Sequence, residues 1–132
     1  MDVISAVIPR TIEECWKAFT TPARWLTWVT GLHAVRLLDR TPEDLPREVY
    51  FEYAAGVWYV LRYDYDLAAR VVRWAPRAED IGGVRGFARF ETVPEGTRFV
   101  YAVEHDGTRQ SLESMLDDSR AFVDAFVESM TT

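Results

Sequence analysis

The sequence predicts an α+β fold in which a seven-stranded antiparallel sheet with one wet face curls round a single long C-terminal helix. Three observations carry this expectation. Apolar residues recur at helical spacing near both ends of the chain, over Ile12, Cys15, Trp16 and Phe19 and again from Gln110 to Met130. Between them, from Gly31 to His105, apolar and polar residues alternate with period two, and turn-forming clusters break the alternation. A sheet with one dry face must be covered, and the last helix is the only long one available.

The chain opens with a strand over Asp2–Ile8, which Pro9 closes. Thr11 and Glu14 then form a capping-box signature at the head of a short amphipathic helix. After the Thr20-Thr21-Pro22 break, Ala23 to Val29 suits a second short helix, with Trp25 and Trp28 three apart for contact with the sheet and Gly31 as its end. Six strands follow, near 32–39, 47–54, 57–66, 69–75, 83–92 and 97–105. They are separated by Thr41-Pro42 to Pro46, Ala55-Gly56, Ala68-Ala69, Pro76 to Gly82, and Pro94-Glu95-Gly96.

Strand faces follow from the alternation. Tyr59, Leu61, Tyr63 and Tyr65 alternate with Arg62, Asp64 and Asp66; Val49, Phe51 and Tyr53 oppose Glu48 and Glu52; Val72 and Trp74 oppose Arg73. In the final helix, Leu112, Met115, Leu116, Ser119, Phe122, Val123 and Phe126 form the apolar stripe. Glu113, Asp117, Asp118, Asp124 and Glu128 fall off that stripe and read as a solvated face.

The bulk numbers restrict function. With 132 residues, no internal repeat and no linker, the chain reads as one domain over 1–132, long enough to bury a core without disulfides or metal. A net charge of −6, with scattered arginines and Lys17 as the only lysine, argues against a nucleic-acid partner. The lone Cys15 lies on the apolar face of the first helix and reads as an inert buried thiol. No stretch approaches the ~20 apolar residues of a membrane span, and Met1 to Pro9 lacks the pattern of a signal peptide. A cytoplasmic protein is expected, with no metal and no cofactor.

Element order and motifs together resemble the START-like, or SRPBCC, superfamily, the helix-grip fold of polyketide cyclase and lipid-transport proteins. The resemblance spans the whole chain. It rests on Val3 to Ile8, Pro9 and Glu13 to Phe19 with Trp16; on Pro22 to Trp28 ahead of a loop; and on the final hairpin from Arg89 to Asp106, RFETVPEGTRFVYAVEHD. It implies a cavity between sheet and last helix for lipids, steroids, polyketides or hormone-like molecules, and in some members cyclisation or dehydration. Shorter loops than those of the larger members imply a small or narrow cavity here.

Inward parity predicts a wall of Phe51, Tyr53, Tyr59, Leu61, Tyr63, Tyr65, Trp74, Ala88, Phe90, Phe99, Tyr101 and Val103, closed by Met115, Ser119 and Phe122 of the helix. Gly86 and Ala88 share the face of Phe90 and are expected to leave room beside it. The number of tyrosines favours a polar-dotted pocket over a dry core, since each buried hydroxyl wants a partner. The opposing reading is that these rings close-pack on the helix with no void. His33 and His105 share the inward parity and, with Tyr101, are the candidate acid–base groups. Gly82-Gly83-Val84-Arg85-Gly86 lies between strands with no helix after it and is not a nucleotide loop.

The first expectation is therefore a binder of a small, largely apolar ligand, as a monomer or weak homodimer. An aromatase/cyclase-like enzyme using cavity Tyr and His groups is the alternative. A third, an interaction module like the superfamily's chaperone-activating members, needs an exposed apolar patch seeded by Phe87 and Val100. Arg62, Asp64, Arg73, Arg85, Arg89 and Glu91 are expected on the wet face, without chemistry.

Overall fold

The computed structural model describes residues 2–54, 56, 58–77, 84–105 and 119–131. In order these form β1 (Asp2–Ile8), α1 (Ile12–Phe19), α2 (Pro22–Trp25), β2 (Leu32–Arg40), β3 (Pro46–Tyr53), β4 (Trp58–Asp66), β5 (Val71–Pro76), β6 (Val84–Val93), β7 (Gly96–His105) and α3 (Ser119–Thr131). The strands make one antiparallel seven-stranded sheet in the order β1-β7-β6-β5-β4-β3-β2, so the first strand pairs with the last and the helices α1 and α2 lie between its two edges in sequence. This is the curved sheet and C-terminal helix that the sequence predicts. The expected helical stretch Gln110 to Asp118, Met115 included, lies outside the described residues.

Local chemistry explains the boundaries. Thr11 accepts from the Glu14 N–H at 3.2 Å while the Glu14 carboxylate takes the Thr11 N–H at 3.3 Å, so two free donors at the start of α1 are satisfied reciprocally. The Thr11 hydroxyl also donates to that carboxylate at 3.0 Å, and this bond first, then the one from the Thr11 N–H and the nearby Arg10, hold the Glu14 carboxyl below its ordinary range. The second helix is shorter than the predicted Ala23–Val29. Pro22 starts it, but it ends at Trp25; Thr27, Trp28 and Val29 continue as turns whose N–H groups reach the carbonyls of Arg24 and Trp25. The indole of Trp25 donates to the Phe19 carbonyl at 2.9 Å, which ties α2 to the end of α1.

Inside the curve, Phe19 is the hub of the core. Its ring lies 5.5 to 5.6 Å from Phe90, Phe99 and Phe126, each centroid to centroid. Cys15 is buried there, and burial pushes its thiol pKa up, partly offset by a hydrogen bond with Thr97. The helix α3 is anchored at its far end as well, where the Arg10 Nε donates to the Met130 carbonyl at 2.8 Å.

Two expectations about small residues and faces need correction. Gly86 does not leave room in the core, because a Cβ built on it would run into the Ala102 carbonyl of the neighbouring strand; the glycine is there for a close approach of backbones. Val100 has outward parity yet is only 6% exposed, so it cannot seed an exposed patch, and Phe87 is half-buried. The outer face otherwise carries the expected charge pairs, Glu48 with Arg62 at 3.3 Å and Glu91 with Arg89 at 2.9 Å and Arg98 at 3.6 Å. Such exposed pairs each contribute about 0–1 kcal/mol.

Candidate functional site

The concave side of the sheet and the helices enclose a cavity of about 50 Å³. Strand alternation puts every second residue of β3, β4, β5 and β7 on its wall: Phe51 and Tyr53, then Tyr59, Leu61 and Tyr63, then Trp74, then Tyr101. Phe122 closes it from α3. All eight belong to the wall that the sequence predicts. Five more were not placed on the wall by the sequence: Phe19 at the end of α1, Trp25 in α2, Trp28 and Val29 in the turn after it, and Val84 at the head of β6. The spacing of Trp25 and Trp28 signals contact with the sheet but not with a void. Val84 has the parity of Phe90 and was legible on that ground.

The other predicted wall residues are placed differently. Ala88, Phe90, Phe99 and Val103 are buried in the continuous core beside the cavity, where Trp16 of α1 covers Phe90 and Phe126 of α3 covers Phe99. Ser119 is half-buried at the first position of α3, and Met115 lies outside the described residues. Tyr65 is displaced from the wall toward the β3 end: its ring meets Trp16 edge-on at 6.1 Å and its hydroxyl donates to the Pro46 carbonyl at 2.6 Å. Burial raises its pKa well above the usual phenol range.

Of the acid–base candidates whose side chains are described, Tyr101 reaches the cavity and His33 does not. His33 is exposed over 66% of its side chain and stands 3.9 Å from Glu52 on the outer face. The reason is a bulge. Leu32 pairs with Tyr53 and Ala34 with Glu52, so β2 spends two steps where β3 spends one, and His33 is the extra residue. Inward parity resumes at Val35 and Leu37, which is why counting by twos from those residues puts His33 inside. The backbone of His105 pairs with Val84 at the end of β7; its side chain lies outside the described residues.

Ring geometry gives the cavity its character. Trp25 stacks on Phe51 at 5.5 Å with an 8° tilt, and Phe122 stacks on Tyr101 at 4.4 Å with 15°. Trp28 meets Phe122 edge-on at 4.9 Å. Trp28, Val29 and Phe122 are the half-buried members of the lining and form its mouth, whereas the remaining ten are buried. The Tyr59 hydroxyl donates to that of Tyr53 at 2.9 Å, a polar pair set in an apolar wall. A void of this size takes water-sized occupants; an engineered apolar cavity that accepts benzene is about 150 Å³. Any larger ligand must displace the mouth rings.

No protein-family model matches the sequence, and no curated protein matches it. Solved structures do. A START superfamily protein from Mycobacterium smegmatis aligns at TM-score 0.71 with 12% identity, covering 98% of this chain and 96% of that one. The Zhui aromatase/cyclase from a Streptomyces species aligns at TM-score 0.73 with 16% identity, over 98% and 92%. One part of the di-domain aromatase/cyclase StfQ, from the steffimycin biosynthetic pathway, aligns at TM-score 0.72 with 14% identity; the match covers 98% of this chain and 44% of that protein. At these identities the alignments show the fold: over nearly its whole length the chain has the helix-grip fold of these START-like structures.

Proposed function

We propose that residues 1–132 act as one cytoplasmic domain that binds a small, largely apolar, aromatic-sized molecule in the cavity between the sheet and α3. The observation that carries this reading is the lining. Ten aromatic side chains face the void, and the Tyr53–Tyr59 hydroxyl pair offers a hydrogen bond within it. An apolar wall with a few convergent polar groups is the usual composition of a small-molecule site. The modest volume argues for a compact ligand and for a mouth that opens at Trp28 and Phe122. The cyclase-like alternative has less support, because His33 faces solvent and, among the described side chains, Tyr101 is the candidate acid–base group on the cavity wall.

Phenol and benzene are suitable probes, and Trp25, Trp28 and Trp74 provide the fluorescence signal from the wall. Saturable quenching by both is expected, together with a retained small molecule in native mass spectra of protein purified from its own host. Non-saturable quenching and a bare protein mass would remove the binding reading. The Tyr59→Phe change sharpens the test. It deletes the hydroxyl that meets Tyr53, so phenol is expected to bind about two- to tenfold more weakly, the loss of one hydrogen bond. Benzene, with no hydroxyl to bond, is expected to be unaffected. Equal losses for the two probes would show that the hydroxyl pair does not contact the ligand.

A further inference from the structure

The outer face of the sheet holds a second concavity, separated from the cavity by the thickness of the sheet. Strand β2 is bulged twice against β3, at Leu32/Ala34 and at Leu37/Asp39, and Leu38, the second extra residue, is 45% exposed. Each bulge bends and twists the strand locally. Against it lies a groove of about 330 Å³, within the usual range of small-ligand sites, roughly 300–1,000 Å³.

Register fixes what the groove presents. Arg36 pairs with Tyr50 and Tyr50 with Val60, while the Arg77 N–H donates to the Val60 carbonyl at 2.9 Å, so these four residues form a row across the outer face. One step along the strands, Ala34, Glu52 and Trp58 form the next row. The Trp58 ring is 42% exposed and lies 6.0 Å from that of Tyr50.

The charges in the groove are compensated unevenly. Glu52 accepts from the Tyr50 hydroxyl at 2.8 Å and has His33 at 3.9 Å, and Arg36 acts on the same phenol. That carboxylate is therefore held on the β2 side. Arg77 stands on the far side of β4, two strand spacings from β3 or roughly 10 Å away, and among the described residues it makes no ion pair.

We propose that this groove binds a planar aromatic carboxylate, with its ring on Trp58 over Val60 and its carboxylate on the Arg77 guanidinium. Ring contact with an exposed indole and a two-pronged guanidinium–carboxylate bond are complementary demands that one such ligand meets together. Glu52 sets the direction. Its negative charge repels the ligand's carboxylate from the β3 end, where Arg36, which also makes no ion pair among the described residues, flanks Tyr50; the orientation with the anion at Arg77 avoids that repulsion and is the favoured one.

The probe is 2-naphthoate, with the neutral 2-naphthamide as its isostere, titrated calorimetrically at low salt and followed through the indole N–H resonances. The expected result is saturable binding of naphthoate that shifts the Trp58 signal, with the amide at least tenfold weaker. Arg77→Gln and Trp58→Ala are each expected to lose tenfold or more. Arg77→Lys keeps the charge but not the fork and is expected to recover part of the loss. Arg89→Gln, on the outer face of β6 where Arg89 pairs with Glu91, is expected to change nothing. The proposal is overturned by equal affinity for the amide, by undiminished binding to Arg77→Gln, by an absence of saturable binding, or by shifts confined to Trp25 and Trp28, which would place the probe in the cavity.

Discussion

Replacing Phe126 by Asp is expected to unfold the domain. The ring is fully buried and lies 4.8 Å from Phe99, 5.0 Å from Trp28 and 5.6 Å from Phe19, so it joins α3 to the sheet, to the turn after α2 and to α1 at one point. Truncation to Ala alone costs about 3–5 kcal/mol at such a site, a large part of the 5–15 kcal/mol that typically holds a domain together. Asp adds a carboxylate among rings that cannot solvate it. Circular dichroism is expected to show no cooperative thermal transition for Phe126→Asp and a lowered one for Phe126→Ala. Asp124→Asn, on the exposed side of the same helix, is expected to melt with the parent protein. A normal melt for Phe126→Asp would show that α3 is not seated between α1 and β7.

A smaller substitution has the second-largest expected effect. Gly86→Ala adds one methyl group, but that methyl meets the Ala102 carbonyl and the Val103 Cα, and backbone atoms in a ladder cannot swing aside as a side chain can. Either β6 and β7 separate locally or the ladder loses register. A cost of about 1–3 kcal/mol is expected, the range for overpacking a close-packed interior. The urea midpoint measures it, and Ala88→Gly on the same strand is the comparison, since it removes bulk where no backbone contact forbids it. An unchanged midpoint for Gly86→Ala would mean that the strands are further apart than described.

The contrast between these positions shows what a sequence can and cannot convey. Strand existence and helix caps are local, so β1, the capping box at Thr11 and Glu14, and the six later strands were legible from residue order. Parity is local only while alternation is unbroken. Seven residues of the cavity wall followed from it because β3, β4, β5 and β7 run regularly through them, and the eighth, Phe122, followed from the helical stripe. His33 did not, because one extra residue in β2 reverses every parity before it. Void volume is not local at all. Whether Trp25 fills the space over Phe51 or leaves it depends on how two distant segments pack, and composition is the same in both cases. Gly86 has a similar history: its missing side chain reads equally as space or as contact until the neighbouring backbone is in view.

The pairing of β1 with β7 has a consequence for how the chain becomes a protein. Asp2 sits opposite Val103 and Ile8 opposite Thr97, so β1 waits for its partner strand until some ninety residues later. At ~5–20 residues per second of synthesis that interval is roughly 5–20 s, during which Val3, Ile4, Val7 and Ile8 are exposed to other nascent chains. Nearly all of the sheet can zip as successive hairpins from β2 to β7, each closing a short loop. The last ladder closes the longest loop of all, and with it the Arg10 contact to Met130 that fastens the two ends. Folding speed and vulnerability to aggregation are therefore governed by this one late closure, and substitutions in β1 are expected to act on yield in cells before they act on the finished fold.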